Sequence, residues 1–350
     1  MMSPTALRNI FFSCICGLSI LMASDAHAQF FGHRGEDKEE MRGKEQRIQK
    51  IYDQLNLSEE QKKSFDSDWE LNFAYSLPGL GRFRVNVYAA KGNTEAAFRI
   101  ISVAPRNMTE LGLPSVVGQL CSKSSGLILI TGPAGQGKTT TMASMINQIN
   151  RGGRKCRVVT IEDPVEYLHE NLNSVIVQRE VGIDTKSFSN ALVQSLRQDP
   201  NIICIGEIRD LETIATALTA AETGHLVLAT LHAPDAAQCI DRIIDVFPSH
   251  QQQQIRVQLA SCLEGVLSQK LLPRKDGNGR VVAVEVLIGT SAVRNIIRDR
   301  KTELLYGVMQ TGSAYGMVLM DAALKDLCEK GVISVETALS KARDPKAIKE

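Results

Sequence analysis

Apolar residues recur at every second position through Trp69, Leu71, Phe73, Tyr75 and Leu77, which predicts a strand ending at the turn Pro78-Gly79-Leu80-Gly81. Phe83, Val85, Val87 and Ala89 keep the period and predict the inner face of a second strand, with Arg82, Arg84 and Asn86 outward. A turn at Gly92-Asn93 leads to a third strand through Phe98 and Ile100, completing a small antiparallel meander. Residues 104–114, with Pro105, Gly112 and Pro114, read as a linker. Beyond it, short apolar runs at 127–130, 158–161, 202–205 and 226–229 alternate with helical stripes such as Phe188, Ala191, Leu192, Leu196 and Ile214, Ala217, Leu218, Ala221. Buried parallel strands covered by helices, an α/β domain, are the expectation. After 281–287 the pattern is helical to the end, and helices near 291–299, 315–329 and 334–342 predict a separate bundle.

Upstream of the meander the chain changes character. Residues 33–64 are charged, with Ile48, Ile51, Tyr52 and Leu55 at helical spacing, and Ser58 with Gln61 forms a capping-box pattern that predicts a second short helix.

Composition removes some function classes. Lys plus Arg total 40 against 39 Asp plus Glu, so no overall positive field favours a phosphate polymer, and nucleic acid is not an expected partner. The eight cysteines are scattered without a C-x-x-C, and buried reduced thiols are expected over 121–328.

The candidate chemistry starts after the run 127–130. Gly132-Pro133-Ala134-Gly135-Gln136-Gly137-Lys138-Thr139, continued by Thr140, fits the phosphate-binding loop G-x-x-x-x-G-K-[ST] at each fixed position. Glycines let the backbone turn several N–H groups toward one anion, and the following helix adds the positive end of its dipole. Lys138 is then expected on the β and γ phosphates of ATP and Thr139 on Mg²⁺.

Further candidates lie at strand ends, where an open α/β sheet meets a nucleotide. Glu162-Asp163-Pro164-Val165-Glu166 follows one strand, and Glu162 is a candidate to orient the attacking water. The strand 202–205 delivers Glu207 as a Walker B acid for the Mg²⁺ shell, with Arg209 and Asp210 read as pairing with each other. His225 and His232 flank the strand 226–229, as satisfied structural residues or as a γ-phosphate sensor, with His232 the better sensor. No cysteine pair or third histidine accompanies them, which argues against zinc. Arg82, Arg84 and Arg99 of the meander either face solvent or reach a neighbouring subunit's triphosphate, where such an arginine is worth ~10³ to 10⁵ in rate.

The strings Gln178-Arg-Glu-Val-Gly182-Ile-Asp-Thr185, Leu196-Arg-Gln-Asp199-Pro200, Gly206-Glu207-Ile-Arg209-Asp210, Ala221-Glu-Thr-Gly224-His225 and Asp241-Arg-Ile-Ile-Asp-Val-Phe247-Pro248 resemble the type IV pilus retraction ATPases, the PilT-like branch of the secretion ATPase superfamily. The likeness runs from about Trp69 to the end, and Ser291-Ala-Val293-Arg294-Asn295 is similar to that family's retraction motif. It implies a RecA-like P-loop core over 109–288, a partial PAS-like domain over 65–108 and a C-terminal helical region over 289–350. It also implies Glu162 and Asp163 in the Asp box, Glu207 as Walker B acid, His232 closing the His box, and Arg84 or Arg99 acting in trans. A homo-oligomeric ring, a hexamer, working cytoplasmically against an inner-membrane pilus platform is the implied assembly, with a paralogous ATPase as a further partner. The four-cysteine metal loop usual in extension ATPases is missing, which favours retraction.

Two features depart from the family. Residues 1–55 do not resemble its N-terminal segment with an Ala-Ser-Asp-Leu-His-type motif, and an incomplete small domain raises the alternative of an accessory subunit with little hydrolysis of its own. Residues 1–28 instead read as a secretory leader (Arg8, an apolar stretch 10–23, Ala26-His27-Ala28) ahead of the arm 29–64, or as a leader without a working signal. Export would separate the phosphate loop from cytosolic ATP. Within the loop, Ala134 and Gln136 stand where the family more often has threonine and serine; both positions read as permissive.

Overall fold

The computed structural model describes residues 55, 57–77, 81–91, 93–101 and 104–349. The leader-like segment, most of the charged arm and the turn at 78–80 lie outside the described residues. Among those described, residues of Met1–Trp69 and Ala89–Glu95 form one compact unit and residues of Glu70–Tyr88 and Ala96–Glu350 another.

Helix α1 (Glu59–Asp68) begins where the capping box places it: Gln61 N donates to Ser58 Oγ, and Ser58 N donates to the Gln61 side chain. Trp69 ends this helix in the left-handed conformation at φ 59° and is exposed, so it does not open strand β1 (Glu70–Leu77) as its place in the alternation suggests. β1 pairs antiparallel with β2 (Gly81–Ala90), and β3 (Asn93–Ile101) completes a sheet in the order β1-β2-β3. Phe83, Val85 and Val87 are buried as expected, with Phe83 edge-on to Phe98, but Ala89 is exposed. Within the expected linker, Glu110 bonds back to Asn107 N and closes the single turn α2 (Met108–Leu111).

After α3 (Val116–Cys121) comes a seven-stranded sheet in the order β10 (Arg280–Ile288), β9 (Leu263–Pro273), β4 (Gly126–Thr131), β8 (Leu226–Leu231), β7 (Ile202–Ile205), β5 (Arg157–Glu162), β6 (Val175–Glu180). Its parallel centre is β4 (Gly126–Thr131), β5 (Arg157–Glu162), β7 (Ile202–Ile205) and β8 (Leu226–Leu231). Alternate residues of these strands feed opposite cores. Ile128 and Ile130 pack with α3 and with α4 (Lys138–Arg151). Leu127 and Leu129 pack with α6 (Leu211–Glu222), α7 (Ala236–Asp245) and α8 (Ser249–Cys262), while α5 (Phe188–Ser195) covers the same face. Two strands escape the apolar pattern, the polar edge strand β6 (Val175–Glu180) and the long β9 (Leu263–Pro273). β9 runs parallel to β4 and antiparallel to β10 (Arg280–Ile288).

The C-terminal region is helical, and its helices close onto the sheet rather than around a core of their own. Val293 and Ile297 of α9 (Ser291–Arg298) with Leu305 and Met309 of α10 (Leu305–Thr311) join the Leu127 core. Met320 and Leu324 of α11 (Met320–Glu329) and Ala338 of α12 (Val335–Lys341) pack with Leu272 and Ala283 of the β9–β10 pair. Buried Glu285 of β10 joins two of these pieces, accepting from Ala236 N at the start of α7 and from Met320 N at the start of α11. The six described cysteines are free, five of them buried. Among the described residues no helix is long and apolar enough to cross a membrane.

Candidate nucleotide site

The strand order sets the carboxyl ends of β4, β8, β7 and β5 side by side, so the loops that follow them meet at one edge of the sheet. The phosphate loop leaves β4 through Gly132 at φ 142°, then Gly135 and Gly137 at 76° and 85°. Gly132 cannot carry a side chain, because a Cβ there would lie 2.6 Å from the Gln269 carbonyl oxygen. Gly137 caps α4, and Lys138 is its first residue.

Lys138 Nζ donates to Gly132 O at 2.8 Å and Pro133 O at 3.0 Å, and lies 3.1 Å from His232 Nδ1. The other ring nitrogen of His232 is 3.0 Å from Glu207 Oε1. One side chain from each of three loops thus forms a continuous chain, ammonium to imidazole to carboxylate. His232 is held from behind by Arg242, which donates to its carbonyl. The ring of His225, at the opposite end of β8, meets Ala220 O and Thr223 within its own turn, which fits the structural reading for that histidine.

Arg209 corrects one sequence reading. It does not pair with Asp210; it donates Nε and a terminal nitrogen to the two oxygens of Glu207, both at 2.7 Å, while Asp210 caps α6 through Thr213 N. Burial would raise the Glu207 carboxyl, but the Arg209 hydrogen bonds and charge, then His232 and Lys138, outweigh it and hold the group below the usual carboxylate range. Burial lowers the Lys138 ammonium from its ordinary value, opposed by Glu207. The Walker B turn is fixed by Thr230, whose hydroxyl donates to Gly206 O, and a Cβ on Gly206 would crowd Ile161 O at 3.1 Å.

Glu162 is buried and accepts from Thr160 Oγ1 at 2.7 Å and Gln178 Nε2 at 3.1 Å. Burial raises its carboxyl above the ordinary value despite these bonds. Gln178 also donates to Tyr167 O, and the Tyr167 hydroxyl lies 3.0 Å from Thr140 Oγ1. Glu162 is therefore wired through Tyr167 to the first turn of α4.

The arginines divide. Arg82, expected outward, folds against the segment after β5, donating to Val165 O and Glu180 Oε2, with a third bond to Ser76. Arg84 lies 3.8 Å from Glu166. Arg99 lines a cleft of about 780 Å³ together with Gln136, Gly137, Thr140, Glu166 and Tyr167. Pro133, Ala134 and Gly135 form the exposed tip of the loop, and Thr139 and Thr140 are half-buried. Arg209, Thr230, Tyr167 and Gln178 were absent from the sequence-derived site. Only Arg209, two positions beyond the strand-end acid, carried a signal that could have been read differently.

A hydroxyl from Thr139 and a carboxylate from Glu207 are hard oxygen donors, the set Mg²⁺ prefers, so these residues fit that ion.

The family model described as "Type II/IV secretion system protein" matches residues 82–312. The chain is 46% identical to the "Type IV pilus retractation ATPase PilT" of Pseudomonas aeruginosa over 84% of this chain and 85% of that protein. It is 44% identical to the "Twitching motility protein" of Neisseria gonorrhoeae over 83% and 78%. A crystal structure of the pilus retraction motor PilT with bound ADP superposes with a TM-score of 0.79 at 44% identity, covering 86% of this chain and 85% of that one. By sequence, by fold and by the order of its motifs, this chain belongs to the type II/IV secretion system family and, within it, to the PilT-like retraction ATPases.

Proposed function

We propose that the chain is a Mg²⁺-dependent ATPase that drives pilus retraction and twitching motility as a subunit of a homo-oligomeric ring, a hexamer, in the cytoplasm against an inner-membrane platform. The observation that carries this reading is the contact chain Lys138–His232–Glu207 across three strand-end loops. Lys138 and the amides of residues 132–140 would hold the β and γ phosphates, with Thr139 and Glu207 holding Mg²⁺. Bound there, Mg²⁺ would neutralise charge on the phosphate oxygens. His232, between the ammonium and the acid, is assigned to sensing the γ-phosphate. Glu162, whose carboxyl burial raises above its ordinary value, is the residue assigned to the attacking water. Arg84 and Arg99 are assigned to a neighbouring subunit's triphosphate. The test is phosphate release by purified protein with ATP and Mg²⁺. Turnover that survives Lys138→Ala would overturn the assignment.

One observation supports a second reading. Arg209 and His232 together occupy both oxygens of Glu207, and a metal shell would have to displace or share them. A subunit that binds ATP but hydrolyses only beside a paralogous ATPase fits that arrangement. Such a protein would be silent alone and active when mixed with the paralogue.

A further inference from the structure

Gln136, one of the two permissive substitutions in the phosphate loop, makes a bond that the serine usual in the family is too short to make. Its Oε1 accepts from the Leu271 backbone N–H at 2.6 Å. The register of β9 explains why that donor is available. Arg274 N donates to Gly279 O across the β9–β10 turn, so the antiparallel alternation assigns Arg274, Leu272 and Lys270 to bonding positions facing β10. Gln269 and Leu271 then direct their backbone groups to the opposite edge, where β4 would pair. The last β4 partner, however, is Thr131 against Ser268, and at Gly132 the chain turns away into the loop.

The loop begins hard against this edge, since no Cβ fits between Gly132 and Gln269 O. Gln269 ties down the far side as well, its Nε2 donating to Thr141 Oγ1 in α4 at 2.6 Å. The Gln136 carboxamide stands in for the strand partner that β4 has stopped supplying, and closes the ladder with a side chain.

We propose that Gln136 is a positioning residue: by bonding Leu271 it pins the phosphate loop to β9 just past its exposed tip, holds the loop in its phosphate-cradling shape and slows release of nucleoside diphosphate. The proposal rests on the nucleotide-site reading above. A serine at this position would leave the Leu271 amide without this acceptor.

The test uses the full chain, with amide hydrogen exchange at Leu271 and binding of a fluorescent ADP analogue. Gln136→Met keeps the length of the side chain and removes the acceptor; Gln136→Ser restores the short side chain; Gln136→Glu keeps an acceptor of equal reach. In the Met and Ser variants, Leu271 exchange should accelerate about tenfold or more. The dissociation constant for the analogue should rise about three- to tenfold, as expected for one hydrogen bond, with the larger part of the loss in KM rather than kcat. Gln136→Glu should retain slow exchange, which a purely steric role for the residue would not require. Unchanged Leu271 exchange in Gln136→Met overturns the proposal, as does faster exchange with unaltered affinity. Failure of the wild type to bind the analogue would sink the nucleotide reading and the positioning role with it. The ligand-free exchange rates would then still report the bond by itself, so the two failures are distinguishable.

Discussion

Glu207→Gln removes a charge without changing shape, and the contact chain sets what should follow. Glu207 and Lys138 are separated by one imidazole ring and two hydrogen-bonding contacts of 3.0 and 3.1 Å. Their charges are thus at most about 8 Å apart, an attraction of about 2 kcal/mol at an effective dielectric of about 20. In the glutamine variant the ammonium loses that support and its pKa, already lowered by burial, falls further. Arg209 loses its carboxylate and keeps at best one neutral acceptor. Binding and turnover should therefore separate. ATP affinity should hold or improve, because a negative charge facing the triphosphate has gone, and the alkaline limit of binding should move to lower pH. Hydrolysis should fall by about 10² to 10³, the usual effect of removing one preorganised electrostatic contact. Phosphate release measured beside equilibrium binding of a fluorescent ATP analogue reads both quantities. Turnover within about threefold of wild type, with binding intact, would refute the role given to Glu207.

Lys138→Ala should abolish measurable turnover and weaken nucleotide binding, read by the same two assays. Gly132→Ala forces a methyl group onto Gln269 O and should raise the nucleotide Kd about tenfold or more, or lower the melting temperature if the strands yield instead. For Glu162 the sign comes from burial: its folded pKa is raised, so its contribution favours the fold below the unfolded value of about 4.3 and is lost as pH rises through the folded value. Glu162→Gln should accordingly melt above wild type at pH 8 and level with it near pH 4 in thermal scans, while losing hydrolysis. If Arg99 acts in trans, mixing inactive Arg99→Ala with inactive Lys138→Ala should restore part of the activity in a phosphate-release assay. No recovery over a range of mixing ratios would place its action within its own subunit.

The site was legible wherever chemistry constrains the backbone. The phosphate loop could be read because only a narrow set of residues permits its turns, and Glu207 because an apolar strand delivered it. Elements that answer to two neighbours at once were less legible. β9 carries Ser268, Gln269 and Lys270 in its middle, which breaks an apolar run, yet Gln269 bonds α4 while Lys270 reaches the end of α12 at Lys341 O. β6 is an edge strand whose Gln178 and Glu180 serve the acidic turn beyond β5 rather than a core. Trp69 kept the period of the strand that follows it, and period alone cannot distinguish a strand residue from a left-handed helix cap. Arg209 sits beside Asp210 in sequence, but Asp210 is the cap of α6, a role marked only by Thr213 three positions on.

Glu285 has a practical consequence for shortening the chain. Its two oxygens are committed to amides in α7 and α11, so a protein ending before Met320 would leave one acceptor stripped of its donor. The penalty would land at the first turn of α7, a few residues downstream of His232. Clipping the tail would thus be felt at the start of α7, beside the loop that carries His232, and an uncharged residue at 285 would remove the stranded acceptor.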